Sequence, residues 1–260
     1  MSTVRVTVLG CGGSAGVPVI GNQWGLCDPA NPKNRRMRPS VLVEQGGAAI
    51  LVDSTPDLRQ QLLNAGVTRL DGVVYTHHHA DHAHGIDELR EICRLMQQAL
   101  PVYGMAEHLH ELEQRFGYCF EPLPEGYPVY RPVLIANVVH GPFELAGVPI
   151  VPFLQDHGYM TTLGFRFGRF AYSTDVMKLE EEAFAALEGI DTWVVDCTRE
   201  DPHPVHAHLA LTLEWIARVK PRRAYLTHMN NTLDYDALLA KLPPGVEPAY
   251  DGLVIEIPGE

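Results

Sequence analysis

No stretch of about eighteen uninterrupted apolar residues occurs in this 260-residue chain, which argues against a membrane-spanning helix. The opening Met1-Ser2-Thr3-Val4-Arg5 lacks the long apolar region of a signal peptide, so a soluble, cytoplasmic protein is expected. Cysteine is scarce: the five residues (Cys11, Cys27, Cys93, Cys119, Cys197) are odd in number, widely scattered and contain no Cys-x-x-Cys pair. Their pattern argues against both a disulfide framework and a cysteine-clamped zinc. Positive charge is also short, with 20 Lys and Arg against 32 Asp and Glu and a net charge of −12. Such a balance offers no footprint for a long nucleic acid or an anionic membrane, and it favours a small-molecule substrate. Internal repeats and low-complexity segments are missing as well. What remains is a chain 46% hydrophobic, enough for a sizeable core, which we read as one domain over residues 1–260. Nothing in it decides between a monomer and a homodimer.

Histidine, by contrast, is concentrated. In Thr76-His77-His78-His79-Ala80-Asp81-His82 four of seven side chains are imidazoles and one is a carboxylate, directly after the apolar run Gly72-Val73-Val74-Tyr75. The run reads as a short buried strand. Crowding groups that resist desolvation beside a core strand is costly unless something compensates them, and a divalent cation does so. His77 and His79 are two apart, so in extended chain they point the same way and can share one ion. Asp81 and His82 follow where a helix should begin, and can face a second.

Val4 to Leu9 reads as a first strand running into the glycine-rich Gly10-Cys11-Gly12-Gly13-Ser14-Ala15-Gly16. A loop of this kind can cradle phosphate through backbone N–H groups, or it can simply be a tight turn that lets backbone pass close to a neighbouring layer. From Val17 to Arg38 periodicity is poor, and the loop ends in the basic cluster Lys33-Asn34-Arg35-Arg36-Met37-Arg38. Turned toward a metal centre, Arg35, Arg36 or Arg38 would hold a substrate phosphate through bidentate guanidinium contacts; turned outward, they form a charged rim. Strands are expected over 40–44 and 48–52, the second ending at Asp53, which is either a helix cap or an anchor for a metal-bound imidazole. Helices are expected over 56–65, with Gly66 as the stop, over 86–100 and over 106–116. Tyr118, Phe120, Tyr127 and Tyr130 either wall a pocket or fill space between elements.

The second half repeats one pattern. Val148 to Leu154 leads to Asp156-His157, Phe170 to Ser173 leads to Thr174-Asp175, and Ala224 to Leu226 leads to Thr227-His228. Each time a buried-type strand stops and a potential ligand follows. Such ligands converge only if the strand ends are neighbours in a sheet. A further strand, 192–195, ends at Asp196, and His203, His206 and His208 lie between it and a helix expected from about Leu209 to Val219. His206 and His208 are two apart and could hold an extra metal, or one of them could supply a proton to a leaving group.

The pattern His-x-His-x-Asp-His resembles the signature of the metallo-β-lactamase superfamily. That resemblance implies an α/β fold, a four-layer αββα sandwich with a one- or two-metal hydrolytic centre at the edge between the sheets. It assigns His77, His79 and His157 to one metal, Asp81, His82 and His228 to the other, and Asp175 as the bridge. The set is all imidazole and carboxylate, which suits zinc, manganese or iron. With the Gly-rich loop, the Arg-rich segment and Tyr250-Asp251-Gly252, the chain resembles the phosphoribosyl cyclic phosphodiesterase branch over nearly its full length. The branch implies metal-assisted hydrolysis of a small phosphodiester, with Asp81 at the catalytic centre, His206 as general acid and His208 near the substrate. In that branch a structural zinc clips the N-terminal loop; here only Cys27 falls in the loop and Met229-Asn230-Asn231 follow His228, so the clip is expected to be absent. Lactones, thioesters and the 3′ ends of precursor tRNA are the alternative substrates of this scaffold, and a non-catalytic metabolite-binding protein is the alternative outside hydrolases.

Overall fold

The computed structural model describes residues 3–122 and 133–259. Its first half runs β1 (Val4–Gly10), β2 (Ser40–Gln45), β3 (Ala48–Val52), α1 (Leu58–Ala65), β4 (Gly72–Val74), α2 (Ala80–Ala83), α3 (Leu89–Met96), β5 (Leu100–Gly104), α4 (Ala106–Phe120) and β6 (Leu134–Val138). The second half runs β7 (Phe143–Leu145), β8 (Val148–Asp156), β9 (Thr161–Phe167), β10 (Phe170–Ser173), α5 (Glu181–Leu187), β11 (Thr192–Asp196), α6 (Leu209–Val219), β12 (Arg223–Thr227), α7 (Tyr235–Leu239), β13 (Val246–Pro248) and β14 (Val254–Ile257). Two mixed seven-stranded sheets result, ordered β14-β1-β2-β3-β4-β5-β6 and β13-β12-β11-β10-β9-β8-β7. With helices on their outer faces they form the expected α/β sandwich.

The strand patterns explain the layering. In β3 every residue is buried: Ala48, Ile50 and Val52 face the second sheet, while Ala49 and Leu51 face the helices. A strand covered on both faces must be apolar throughout, which is why this one shows no polar alternation. The inter-sheet core joins Val4, Val6 and Val8 of β1 to Phe165, Phe167 and Trp193 of the second sheet. A second cluster, including Leu58, Leu62, Tyr75, Ile86 and Leu109, seals the helices onto the first sheet. Among the described residues no helix is long and apolar enough to cross a membrane.

Some expectations need correction. The helix anticipated over 86–100 begins as a 3₁₀ turn at Ile86–Glu88, continues as α3, and stops at Gln97 in the left-handed conformation. Leu100 instead opens β5, whose Leu-Pro-Val-Tyr-Gly pairs with both β4 and β6. Helix α4 extends to Phe120, past a non-helical Phe116. Helix α1 ends as anticipated, with Gly66 left-handed at its C-cap. Tyr127 and Tyr130 lie outside the described residues.

Parallel pairing decides where the site falls. Strands β10, β11 and β12 are mutually parallel, and β8 is antiparallel to β9, which is antiparallel to β10, so all four end at one edge of the sheet. That edge meets the end of β4 through a bond from Leu163 N to Thr76 O (3.0 Å).

Candidate metal centre

The chain after β4 turns helical only after His79, the extended N-cap of α2. Asp81 and His82 therefore occupy the first turn of that helix while His77 and His79 precede it. On the opposite side Asp175 and His228 follow β10 and β12 in left-handed conformations (φ 51° and 58°), as does Asp53 after β3 (φ 63°). Non-glycine residues adopt this region at a cost, and such strain concentrates where a side chain must be aimed.

Among the described residues the side chains form three groups, of which Asp196, His206 and His228 are one and the other two meet at a carboxylate. His77, His79, His157 and Asp175 offer ligand atoms that all lie within 4.8 Å of one another, and so do Asp81, His82, Asp175 and His228. Asp175 belongs to both. Its Oδ1 lies 3.0 Å from His82 Nε2 and 3.1 Å from His228 Nε2, while its Oδ2 lies 3.4 Å from His157 Nε2 and 3.7 Å from His77 Nε2. One carboxylate thus turns one oxygen to each half of the cluster. Asp81 Oδ2 sits 3.4 Å from both His82 Nε2 and His228 Nε2.

The outer ring nitrogens are fixed by partners. His82 Nδ1 donates to Asp53 Oδ2 (2.8 Å), and Asp53 also accepts from Thr76 N and Thr76 Oγ1 (2.8 Å each). With its own proton given to Asp53, Thr76 Oγ1 accepts from His77 Nδ1 (3.0 Å). His157 Nδ1 faces the Val205 carbonyl (2.6 Å), which can only accept. Thr198 Oγ1 donates to the His228 carbonyl and so accepts from His228 Nδ1 (3.0 Å). In the neutral form of these four rings Nδ1 carries the hydrogen and Nε2 presents a lone pair inward, the arrangement in which outer partners orient metal-binding imidazoles. His79 is reversed: Tyr159 Oη occupies its Nε2 at 2.9 Å, leaving Nδ1 for the cluster.

These atoms fit divalent cations. The Nε2 atoms of His77 and His82 are buried and have no hydrogen-bond partner among the described residues. Leaving them so would cost about 1–3 kcal/mol apiece, and a cation removes that cost. Without one, burial disfavours a charged His82, but the carboxylates of Asp175, Asp81 and Asp53 more than offset this and raise its pKa well above the usual value. His228 behaves likewise, burial opposed chiefly by Asp175, and is pushed up to about 9. Asp175 is held well below the carboxylate range, burial being outweighed by His228 and His82. Protons on these imidazoles stand where a cation would sit. Metal uptake below about pH 9 must therefore expel the His228 proton. Competition titrations at pH 8, 7 and 6 should show apparent affinity falling about tenfold per unit for each proton displaced; a flat profile would exclude these nitrogens as ligands.

The other anticipated residues divide. His206 reaches the cluster: its ring stacks on His228 (4.7 Å between centroids), and its Nδ1 lies 3.3 Å from Asp196 Oδ2. Asp196 is fully buried and also accepts from Val176 N. His208 does not join: it is the N-cap of α6 and belongs to none of the ligand groups, so the spacing of two that suggested a shared extra metal with His206 does not bring them together. Arg36 is corrected too. It is 2% exposed, and its guanidinium donates to Leu233 O (2.6 Å), Asn230 O (3.1 Å) and Asn34 Oδ1 (3.2 Å). Asn34 in turn donates to Asp234 Oδ2 (2.6 Å). Arg36 and Asn34 thus tie the long N-terminal loop to the segment following His228, and burial of the Arg36 side chain keeps it from substrate. Arg35 is exposed over Trp24, and Arg38 pairs through Nε with Asp57 (3.0 Å).

Sequence reasoning missed Tyr159 and His108. His108 Nε2 donates to Thr161 O (2.9 Å), so its Nδ1 accepts from His78 Nδ1 (2.8 Å), which anchors His78 between His77 and His79. His84 packs its ring against Phe116.

Comparison with known proteins agrees with this architecture. Residues 48–229 match the model of the beta-lactamase superfamily domain. An octanoyltransferase of Porphyromonas gingivalis is 32% identical over 96% of this chain, which spans only 51% of that protein. The anti-Pycsar protein Apyc1 of Paenibacillus harenae is 31% identical over 75% of the chain and 84% of its own length. The crystal structure of a diphosphatase from the PhnP family superposes with a TM-score of 0.91 at 34% identity, covering 99% of this chain and 98% of that one.

Proposed function

Because this chain belongs to the beta-lactamase superfamily, whose members with this fold include hydrolases, we propose that it is a dinuclear metal-dependent phosphodiesterase acting on a small, ribose-type phosphodiester. The observation that carries this reading is Asp175, whose two oxygens each face a separate set of ligands. Its likeness to a diphosphatase supports phosphorus over acyl carbon as the reacting centre. When bound, two divalent cations supply Lewis acidity toward phosphoryl oxygens and lower the pKa of water; zinc, manganese and iron all suit the donors.

The chain's own residues do the rest. Asp53, Thr76, Thr198 and the Val205 carbonyl hold four imidazoles in the tautomer that keeps Nε2 unprotonated. Asp81 and Asp175, both buried, balance positive charge at the centre. Asp196 accepts the Nδ1 hydrogen of His206, whose Nδ1 also lies 3.9 Å from Asp175 Oδ2, and Nε2 is the nitrogen left to give a proton to the departing oxygen.

A first test uses bis-p-nitrophenyl phosphate, lactone and thioester panels with the protein fully metal-loaded. Diester cleavage abolished by chelation supports the proposal; no turnover on any panel would instead favour a metabolite-binding protein. For the proton donor, His206→Ala should slow diesters with alkyl leaving groups about 10²-fold or more and nitrophenyl esters far less, because nitrophenolate needs no proton. Equal slowing of both classes would remove His206 from that role.

A further inference from the structure

Asp196 takes part in the mechanism through one of its two oxygens. Oδ2 accepts from Val176 N (3.1 Å) and His206 Nδ1 (3.3 Å), while the buried Oδ1 has no hydrogen-bond partner among the described residues. The residue is fully buried at the end of β11, and among the described residues no lysine or arginine lies within ion-pair distance of it. Two imidazoles face it instead: His206, and His228, whose Nδ1 lies 3.9 Å from the orphaned Oδ1. The pairing of Asp196 with Thr227 between β11 and β12 sets the carboxylate beside the strand end that carries His228. Asp196, His206 and His228 each offer one ligand atom, and the three atoms lie within 4.8 Å of one another. Tetrahedral bonds of about 2.1 Å put ligand atoms about 3.4 Å apart, so separations of 3.3 and 3.9 Å need little movement to close on an ion. His206 is partly exposed, which gives an ion a way in.

We infer that Asp196, His206 and the Nδ1 side of His228 form a third, weaker cation site whose filling inhibits the protein. The effect on turnover rests on the phosphodiesterase reading; the site itself does not. Two imidazoles and a carboxylate suit zinc rather than magnesium or calcium. Uptake releases the Nδ1 hydrogens of both imidazoles to solvent, so the site fills only at free zinc above that which loads the first two positions. An ion there replaces the hydrogen between His206 and Asp196. To give up its Nε2 hydrogen, a ring held by zinc at Nδ1 would have to become an imidazolate, which makes it a far poorer acid than an imidazolium. Excess zinc therefore slows the substrates whose leaving group needs a proton and spares those whose leaving group does not.

Equilibrium dialysis against rising zinc reads the site without turnover. The parent should take up a third ion per chain after the first two, and His206→Ala and Asp196→Asn should each bind that ion at least about tenfold more weakly, the smallest loss expected when a ligand is altered. A parent that saturates at two ions, or a third ion bound with parental affinity by both variants, overturns the site. Turnover is read on adenosine 2′,3′-cyclic phosphate, whose leaving group is a ribose alkoxide, and on bis-p-nitrophenyl phosphate. As the third ion binds, the parent should lose at least about tenfold in kcat on the cyclic diester and little on the nitrophenyl ester. Equal inhibition of both, or a third ion without inhibition, refutes the inhibitory role. If the zinc-loaded parent cleaves neither diester, the phosphodiesterase reading fails, and the dialysis alone upholds or refutes the site.

Discussion

Replacing Asp175 by alanine is expected to take metal content from two ions per chain to one or none and to reduce diester hydrolysis by about 10³-fold or more, the scale of losing a main source of transition-state charge stabilisation. Among the described residues no other side chain joins the His77, His79 and His157 group to the Asp81, His82 and His228 group. The same change leaves His82 and His228 facing each other's charge with only Asp81 between them. Asp175→Asn keeps the size and the left-handed turn, to which asparagine is suited, but presents an amide group to one half of the cluster in place of an oxygen. Elemental analysis after gel filtration should therefore show about one ion in Asp175→Asn, with activity nearly as low as in the alanine variant. Full metal content in either would mean that Asp175 does not bridge.

The second large effect concerns stability. Arg36→Ala should lower unfolding free energy by about 3–5 kcal/mol, because it removes the guanidinium donors from the Leu233 and Asn230 carbonyls and from Asn34 Oδ1, which keeps only Tyr235 N, and opens a cavity in the interior. Arg36→Lys should recover only part of this, since one ammonium cannot reach partners arranged for a planar fork. Urea denaturation reads the change as a shifted midpoint. An Arg36→Ala protein with parental stability and a raised KM would return Arg36 to the substrate. Beyond the global loss, release of the loop should loosen the Gly13 turn, which shares its anchor at Met229 with the strand end carrying His228.

How much of this was legible follows from where each determinant lies. The candidate ligands could be read because local rules position them: His77 and His79 by two-residue alternation, Asp81 and His82 by the helix that follows, the others by ending apolar strands. Their convergence needed the further fact that β8, β10 and β12 run in the same sense, which their spacing only suggests. The left-handed backbone at Asp53, Asp175 and His228 was hidden, since no glycine announces it. His108 and Tyr159 were hidden for another reason: each meets its partner across 30 or 80 positions, and a single histidine on a helix looks like any other. Arg36 was misread because a basic cluster carries no mark of direction; three arginines within four positions go to the interior, to Trp24 and to Asp57. Strand β5 was absorbed into a helix because Leu100 extends the periodicity of α3, and only Gln97, left-handed at the cap, breaks it. Strand β9 was not anticipated at all, its apolar pattern being interrupted by Gly164 where Phe153 crosses over it.

The account stands most directly on an anomalous-scattering map of crystals grown from protein purified without added metal. It predicts two peaks sharing Asp175, one bound by His77, His79 and His157 and the other by Asp81, His82 and His228. A lone peak away from Asp175, or diester turnover by protein whose map shows neither peak, would contradict it.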